Sequence, residues 1–71
     1  MKEIVCNAIA SRKVLSFLYE GLARVVEPHL CGQNAAGHDV LLAWLVRGHS
    51  KSDPRQGWRN YLLTEIGRAH V

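Results

Sequence analysis

Apolar residues alternate with their neighbours along two adjacent stretches of the chain, and this alternation predicts a hairpin. Residues 14–19 follow the period of a half-buried strand, and a second apolar run covers residues 22–30. The link between them is Glu20-Gly21, which suits a tight turn because glycine adopts positive φ without Cβ strain. Pro28 has no N–H to donate, so we expect the second strand to be an edge strand or to end there.

The remaining pattern predicts one helix and two further strands, so the chain is expected to be mainly β with one N-terminal helix. The helix covers residues 2–11, and its apolar stripe has helical spacing: Ile4, Val5, Ala8 and Ile9. A third strand over residues 38–47 is apolar on both faces, which predicts a sheet partner on one face and the helix on the other. A fourth strand covers residues 58–63, and polar, glycine-bounded loops are predicted over 31–37 and 48–57.

Length and composition restrict the chain to one small globular domain. It has 71 residues, of which 48% are hydrophobic, and a net charge of +3 that favours anionic partners only mildly. The apolar run over residues 40–46 is too short to cross a bilayer, so no membrane partner is expected. Without an export-type leader, Cys6 and Cys31 are expected to be reduced thiols in a cytoplasmic protein.

Catalytic and metal-binding patterns are weak. His29 and Cys31 are the only closely spaced pair of metal-ligand type, and no C-x-x-C or H-x-x-x-H spacing occurs. Ser16 lies between apolar neighbours on a predicted strand, so nothing marks a nucleophile with its base. No glycine-rich phosphate loop leads into a helix. We therefore expect no enzyme, no metal and no cofactor.

The order of elements and a few local motifs resemble the WYL domain, which occurs in many bacterial transcription regulators. A short helix precedes the hairpin, and Arg59 and Tyr61 stand where the family has an Arg-x-aromatic pair, preceded by Gly57-Trp58. Of the Trp-Tyr-Leu motif only Leu41 remains. Two positions that are basic in larger members are Leu62 and Glu65 in this chain. The resemblance implies a small Sm/SH3-like barrel.

The resemblance also implies ligand sensing or regulation through single-stranded nucleic acid or a nucleotide-like effector. The matching cations are Arg24 and Arg59, expected on neighbouring strands facing one groove, with Trp58 and Tyr61 as stacking faces. Arg24 has the alternative of pairing only with Glu20 or Glu27, while Tyr19 and Trp44 are expected in the core. Because no helix-turn-helix is present, regulation would need a DNA-binding partner protein.

An alternative function is a protein-interaction or oligomerisation module, such as a homo-oligomer joined through open strand edges. The C-terminal tail affects this alternative, because residues 65–71 match the in-frame translation of a widely used sequencing adapter. We therefore expect the WYL-like domain to cover residues 1–64 and the tail to be foreign, which would leave the barrel incomplete at its C-terminal strand. The competing interpretation is a genuine last strand.

Overall fold

A five-stranded antiparallel sheet and one N-terminal helix form the protein, which confirms the predicted fold class. The computed structural model describes residues 1–48 and 55–71, and the predicted loop over residues 48–57 falls largely outside this part. The elements are α1 (Lys2–Ala10), β1 (Leu15–Tyr19), β2 (Leu22–Gln33), β3 (Asp39–Gly48), β4 (Gly57–Leu62), a 3-10 helix (Leu63–Glu65) and β5 (Ile66–His70). The strand order is β4-β3-β2-β1-β5. Since β4 and β5 at the two edges do not pair, the barrel is not closed.

The β1–β2 hairpin is the one predicted from sequence. Tyr19 pairs with Leu22, and the two residues between them both have positive φ, 53° at Glu20 and 75° at Gly21. Two positive φ values at the central positions define a type I′ turn, whose twist matches that of the flanking strands. The turn therefore fixes the register that places Phe17 opposite Arg24.

Strand β2 does not end at Pro28, as one alternative had it, but continues to Gln33. Its pairing with β1 stops at Val26, so the later half of β2 has only β3 as a neighbour. The β2–β3 register also shifts between Pro28 and Leu30. Proline is tolerated at such a bulge on a one-sided stretch, because the ladder does not need its missing N–H there. The predicted loop over 31–37 shrinks accordingly to the turn that follows β2.

The core lies on one face of the sheet, which we call the inner face, and is covered at one end by α1. Helix residues Val5 and Ala8 are fully buried, and the helix packs mainly against β2 and β5. The other buried apolar residues are Leu15, Phe17, Val26, Leu41, Ala43, Leu45, Tyr61, Leu63 and Ile66.

Strand β3 is buried on one face only, so the prediction of burial on both faces was wrong. Leu41, Ala43 and Leu45 are fully buried, whereas the alternate residues are only half-buried: Val40, Leu42, Trp44 and Val46. The reason is that α1 packs mainly against β2 and β5 and does not cover the outer face of β3. Trp44, expected in the core, therefore lies on the opposite, outer face of the sheet.

The C-terminal residues form the edge strand β5 on β1. Tyr19 pairs with Ile66, and Ile66 is buried in the core. The pairing is irregular, with a register shift between Ser16 and Leu18, and Arg68 within β5 has a φ of 52°. Residues 66–70 thus cover an edge of β1 that would otherwise be open, whatever the origin of the tail.

Candidate anion-binding site

Arg24 is a buried cation on the inner face of β2, with only 3% of its surface exposed. It shares this face with Val26, two residues later, and lies opposite Gly48 in the β2–β3 ladder. Gly48 has a φ of 131°, and a Cβ there would lie 2.9 Å from the Arg24 Cα and overlap the Ala23 carbonyl oxygen. The β3 backbone therefore approaches the β2 backbone closely beside Arg24, and position 48 has no room for a side chain.

The Arg24 guanidinium is only partly compensated by its surroundings. Its Nη2 donates a hydrogen bond to the Tyr19 carbonyl oxygen at 3.3 Å and lies 3.6 Å from Glu20 Oε1. Its Cζ lies 5.5 Å from the ring centroid of Tyr19 and 5.9 Å from that of Tyr61. The buried Nε has no hydrogen-bond partner in the described part of the chain. Of the two glutamates considered from sequence, Glu20 is the one that pairs with Arg24.

Three aromatic rings lie beneath this guanidinium in edge-to-face contact. The Tyr61 centroid is 5.0 Å from that of Phe17 and 4.8 Å from that of Tyr19. The Tyr19 hydroxyl accepts a hydrogen bond from the Leu62 backbone N–H at 3.0 Å, which joins β1 to the edge strand β4 across the open barrel. Tyr19 is thus a bridging residue at the boundary of the core, which matches its expected packing.

The Tyr61 hydroxyl is a second buried polar group without a partner among the described residues. Burial raises the pKa of Tyr61, while the nearby Arg24 and the charge of Arg59 oppose this shift. The phenol therefore stays protonated and holds an unused donor beside two cations. Arg24 is the nearer of the two cations, with its Cζ 5.9 Å from the centroid of the Tyr61 ring.

Arg59 lies two residues before Tyr61 on β4, so the two side chains are on the same face of this strand. Its Nη1 donates to the Trp58 carbonyl oxygen and its Nη2 to the Arg55 carbonyl oxygen, both at 2.9 Å. In the β3–β4 ladder Arg59 lies opposite Ala43, which is buried in the core. The expectation that the two arginines lie on neighbouring strands was wrong, because β3 separates β2 from β4.

Trp58 lies on the outer face, away from the two arginines. Its side chain is 52% exposed, and its ring contacts Trp44 and His29, with centroids 5.4 and 5.2 Å away. Of the four residues proposed from sequence, the structure places Arg24 beside Tyr61 and Arg59 on the same face of β4 as Tyr61, whereas Trp58 lies on the other side of β4. The sequence alone could have indicated this separation, because adjacent residues of a strand such as Trp58 and Arg59 face opposite sides of the sheet.

The outer face also carries an apolar groove that sequence reasoning did not identify as a site. We call this the outer groove; it has a volume of about 550 Å³ and is lined by Leu30, Cys31, Gly32, Gln33, Asn34, Val40, Leu42, Asn60 and Leu62. Leu30 at its rim is 56% exposed. The alternate apolar residues of the third strand, which include Val40 and Leu42, could have indicated this groove. They were instead interpreted from sequence as a second buried face.

Comparisons with known proteins leave the interpretation to the structure itself. No protein-family model matches the chain, and no curated protein or solved structure matches it at a significant level. Over residues 1–48 and 55–71, no group of three or more His, Cys, Asp or Glu side chains is arranged to hold a metal ion. Within the same part of the chain, α1 is too short to cross a membrane, and no other helix has the required length and apolarity.

Proposed function

We propose that this protein is a small, non-enzymatic binding module for a phosphate-bearing ligand, either single-stranded nucleic acid or a nucleotide-like effector. The ligand's phosphate would bind on the inner face between Arg24, Arg59 and Tyr61. The observation that supports this proposal is the pair of buried groups without partners, Arg24 Nε and the Tyr61 hydroxyl.

Unpartnered buried donors are costly, at about 1–3 kcal/mol for each neutral group, and native proteins retain few of them. A phosphate could accept hydrogen bonds from the Nε and an Nη of Arg24 in the fork geometry that guanidinium groups favour. The Tyr61 hydroxyl could donate to a third oxygen. The weak contact between Arg24 and Glu20, at 3.6 Å, is one that a phosphate could replace.

The exposed ring of Trp58 supports a nucleic-acid ligand more than a bare anion. Trp58 directly precedes Arg59 on the edge strand, and its side chain faces the other side of the sheet. A single strand crossing this edge would therefore meet a cation and then a stacking surface. Base stacking on aromatic rings is tolerant of sequence. The resemblance to WYL domains points the same way, and in that setting the module would act in the cytoplasm with a DNA-binding partner protein.

Fluorescence anisotropy with a short labelled single-stranded oligonucleotide tests this proposal. Arg24→Met and Arg59→Ala should each weaken binding by roughly 5- to 150-fold, the equivalent of about 1–3 kcal/mol, and should flatten the salt dependence. Arg47→Ala is the matched control, because Arg47 is an exposed arginine near the same end of the sheet, opposite Val25 on β2. Folded Arg24→Met and Arg59→Ala proteins that bind like the parent would contradict the proposal.

The outer groove favours a second candidate function, association with another copy of the chain. Leu30 and Trp58 are both more than half exposed, and the groove lies beside β4, whose outer edge has no strand partner in the sheet. Sedimentation velocity should then show a dimer that the double substitution Leu30→Ser, Trp58→Ser disrupts. Val14→Ser, at an exposed apolar residue outside the groove, is the control. A parent protein that stays monomeric at tens of micromolar would eliminate this candidate. A dissociation constant in that range corresponds to a free energy of association of roughly 6–7 kcal/mol.

A further inference from the structure

Two cysteines that are 25 positions apart in sequence lie on elements that pack together, Cys6 on α1 and Cys31 on β2. Cys6 lies on the exposed side of the helix, and Cys31 is half-buried on β2 and packs against the core. Both are free thiols. Neither belongs to the anion-binding site, which lies at the other end of β2.

The helix face that carries Cys6 is held near this part of β2 by an ion pair between α1 and the neighbouring strand β3. Lys2 lies one helical turn before Cys6, and its Nζ is 3.8 Å from Asp39 Oδ1. Asp39 pairs with Gln33 in the β2–β3 ladder, and Gln33 shares a face of β2 with Cys31. Lys2, Cys31 and Asp39 also line one cavity of about 140 Å³. The packing thus directs the Cys6 side of α1 towards Cys31.

The electrostatics of Cys31 agree with this placement. Burial raises the pKa of the Cys31 thiol, and Cys6 raises it further as a neighbouring charge and hydrogen-bond partner. A thiol has these effects only at short range. The accessible Cys6 is therefore the better placed of the two to react first with a reagent from solution, and Cys31 is placed to react second.

We propose that Cys6 and Cys31 form a redox site, a reversible intramolecular disulfide made by exchange with a low-molecular-weight disulfide such as oxidised glutathione. The Cys6 thiolate attacks one sulfur of the reagent, forms a mixed disulfide and releases one thiolate. The Cys31 thiolate then attacks the Cys6 sulfur and releases the second thiolate. The two released thiolates take up the two protons lost by the cysteines, so the protein is oxidised by two electrons and the reagent is reduced.

The disulfide would tie α1 to the sheet. Closing a loop of about 25 residues restricts the unfolded chain, so the melting temperature should rise by roughly 10–20 °C on oxidation and return on reduction. The helix buries Val5 and Ala8, so the bond would stabilise the contact that covers the end of the core. This makes the stability of a small domain dependent on the thiol–disulfide balance of its surroundings.

The experiment treats the whole chain with a graded ratio of reduced to oxidised glutathione and maps the products by tryptic digestion and mass spectrometry. Cleavage after lysine and arginine separates the two cysteines, so the expected product is a disulfide joining peptides 3–12 and 25–47. Cys31→Ala should stop at the mixed disulfide on Cys6 and should show no rise in melting temperature. Dithiothreitol should reverse the change in the parent.

Three results would overturn the proposal. One is a parent protein that stops at glutathione on Cys6, and another is oxidation that yields only cross-linked dimers. The third is a linked peptide pair that forms without any rise in melting temperature, which would mean that the bond distorts the helix contact. Because the peptide map uses the parent protein, it remains decisive even if Cys31→Ala fails to fold.

Discussion

Replacing Arg24 with methionine separates a functional role of the buried guanidinium from a structural one. The contacts that retain Arg24 are modest: a hydrogen bond to the Tyr19 carbonyl oxygen at 3.3 Å, an ion pair at 3.6 Å with a carboxylate whose side chain is 48% exposed, and two aromatic faces. The ion pair contributes at most about 1 kcal/mol, and the cation–π contacts contribute about 1–2 kcal/mol. Against these stand the unpartnered Nε, at about 1–3 kcal/mol, and the desolvation of the charge.

Methionine is unbranched and reaches as far as the Nε of arginine, and its thioether can contact the rings of Tyr19 and Tyr61, an interaction of about 0.3–1.5 kcal/mol. We therefore expect Arg24→Met to leave the free energy of unfolding unchanged or to raise it by up to about 2 kcal/mol, while oligonucleotide binding is weakened as stated above. Arg24→Ala removes the same charge but leaves a cavity, so it should be less stable than Arg24→Met by about 2–4 kcal/mol.

Urea unfolding followed by tryptophan fluorescence measures the stability of both variants, and anisotropy measures their binding. Loss of more than about 3 kcal/mol in Arg24→Met would show that the fold itself requires the guanidinium, and the argument from its missing partners would fail. Stability close to that of the parent together with weakened binding would be the signature of a charge kept for a ligand.

Three further predictions concern single positions. Gly48→Ala should lower the free energy of unfolding by more than about 2 kcal/mol, because its positive φ and the Ala23 carbonyl oxygen leave no room for a Cβ; a thermal melt like the parent's would contradict this. Arg12→Gly should raise the melting temperature by roughly 4–8 °C, since Arg12 lies two residues after the end of α1 with a φ of 54°, where glycine avoids about 1 kcal/mol of strain; no rise would exclude that strain. Burial raises the pKa of Tyr61 above 10.0, so the parent should lose stability as the pH rises through and above about 10. Tyr61→Phe should reduce that loss without destabilising the protein at neutral pH. An unchanged pH dependence of stability in this variant would show that another group titrates.

Local signals were sufficient to predict most of the elements. The Glu20-Gly21 turn and the period-two alternation defined the first hairpin, and the apolar stripe of α1 correctly indicated a helix with one buried side. The extension of β2 was missed because the effect of Pro28 depends on its neighbours. A proline would interrupt a strand paired on both sides, but β1 has already ended beside this stretch.

The site was harder to predict, because its defining property is burial. Arg24 looks from sequence like an exposed cation on a hairpin, but the rings of Tyr19 and Tyr61 lie against its guanidinium, and Gly48 of another strand approaches its backbone closely. That approach depends on the β2–β3 register, which in turn depends on the bulges in β2. No local pattern around Arg24 contains this information. The same holds for Cys6 and Cys31, whose proximity follows from how α1 packs on β2.

The alternation of β4 gives the two proposed functions separate surfaces. Arg59 and Tyr61 face the inner site, while Trp58, Asn60 and Leu62 face the outer side. A substitution on one of these faces should therefore leave the other face largely intact, except at Trp58, whose ring is also the proposed stacking surface for a base. Arg59→Ala should weaken oligonucleotide binding without changing the sedimentation coefficient, and the Leu30→Ser, Trp58→Ser variant should change association more than phosphate binding. If both variants lost both properties, the two faces would act as one surface, with the ligand or the second copy wrapping the edge of β4.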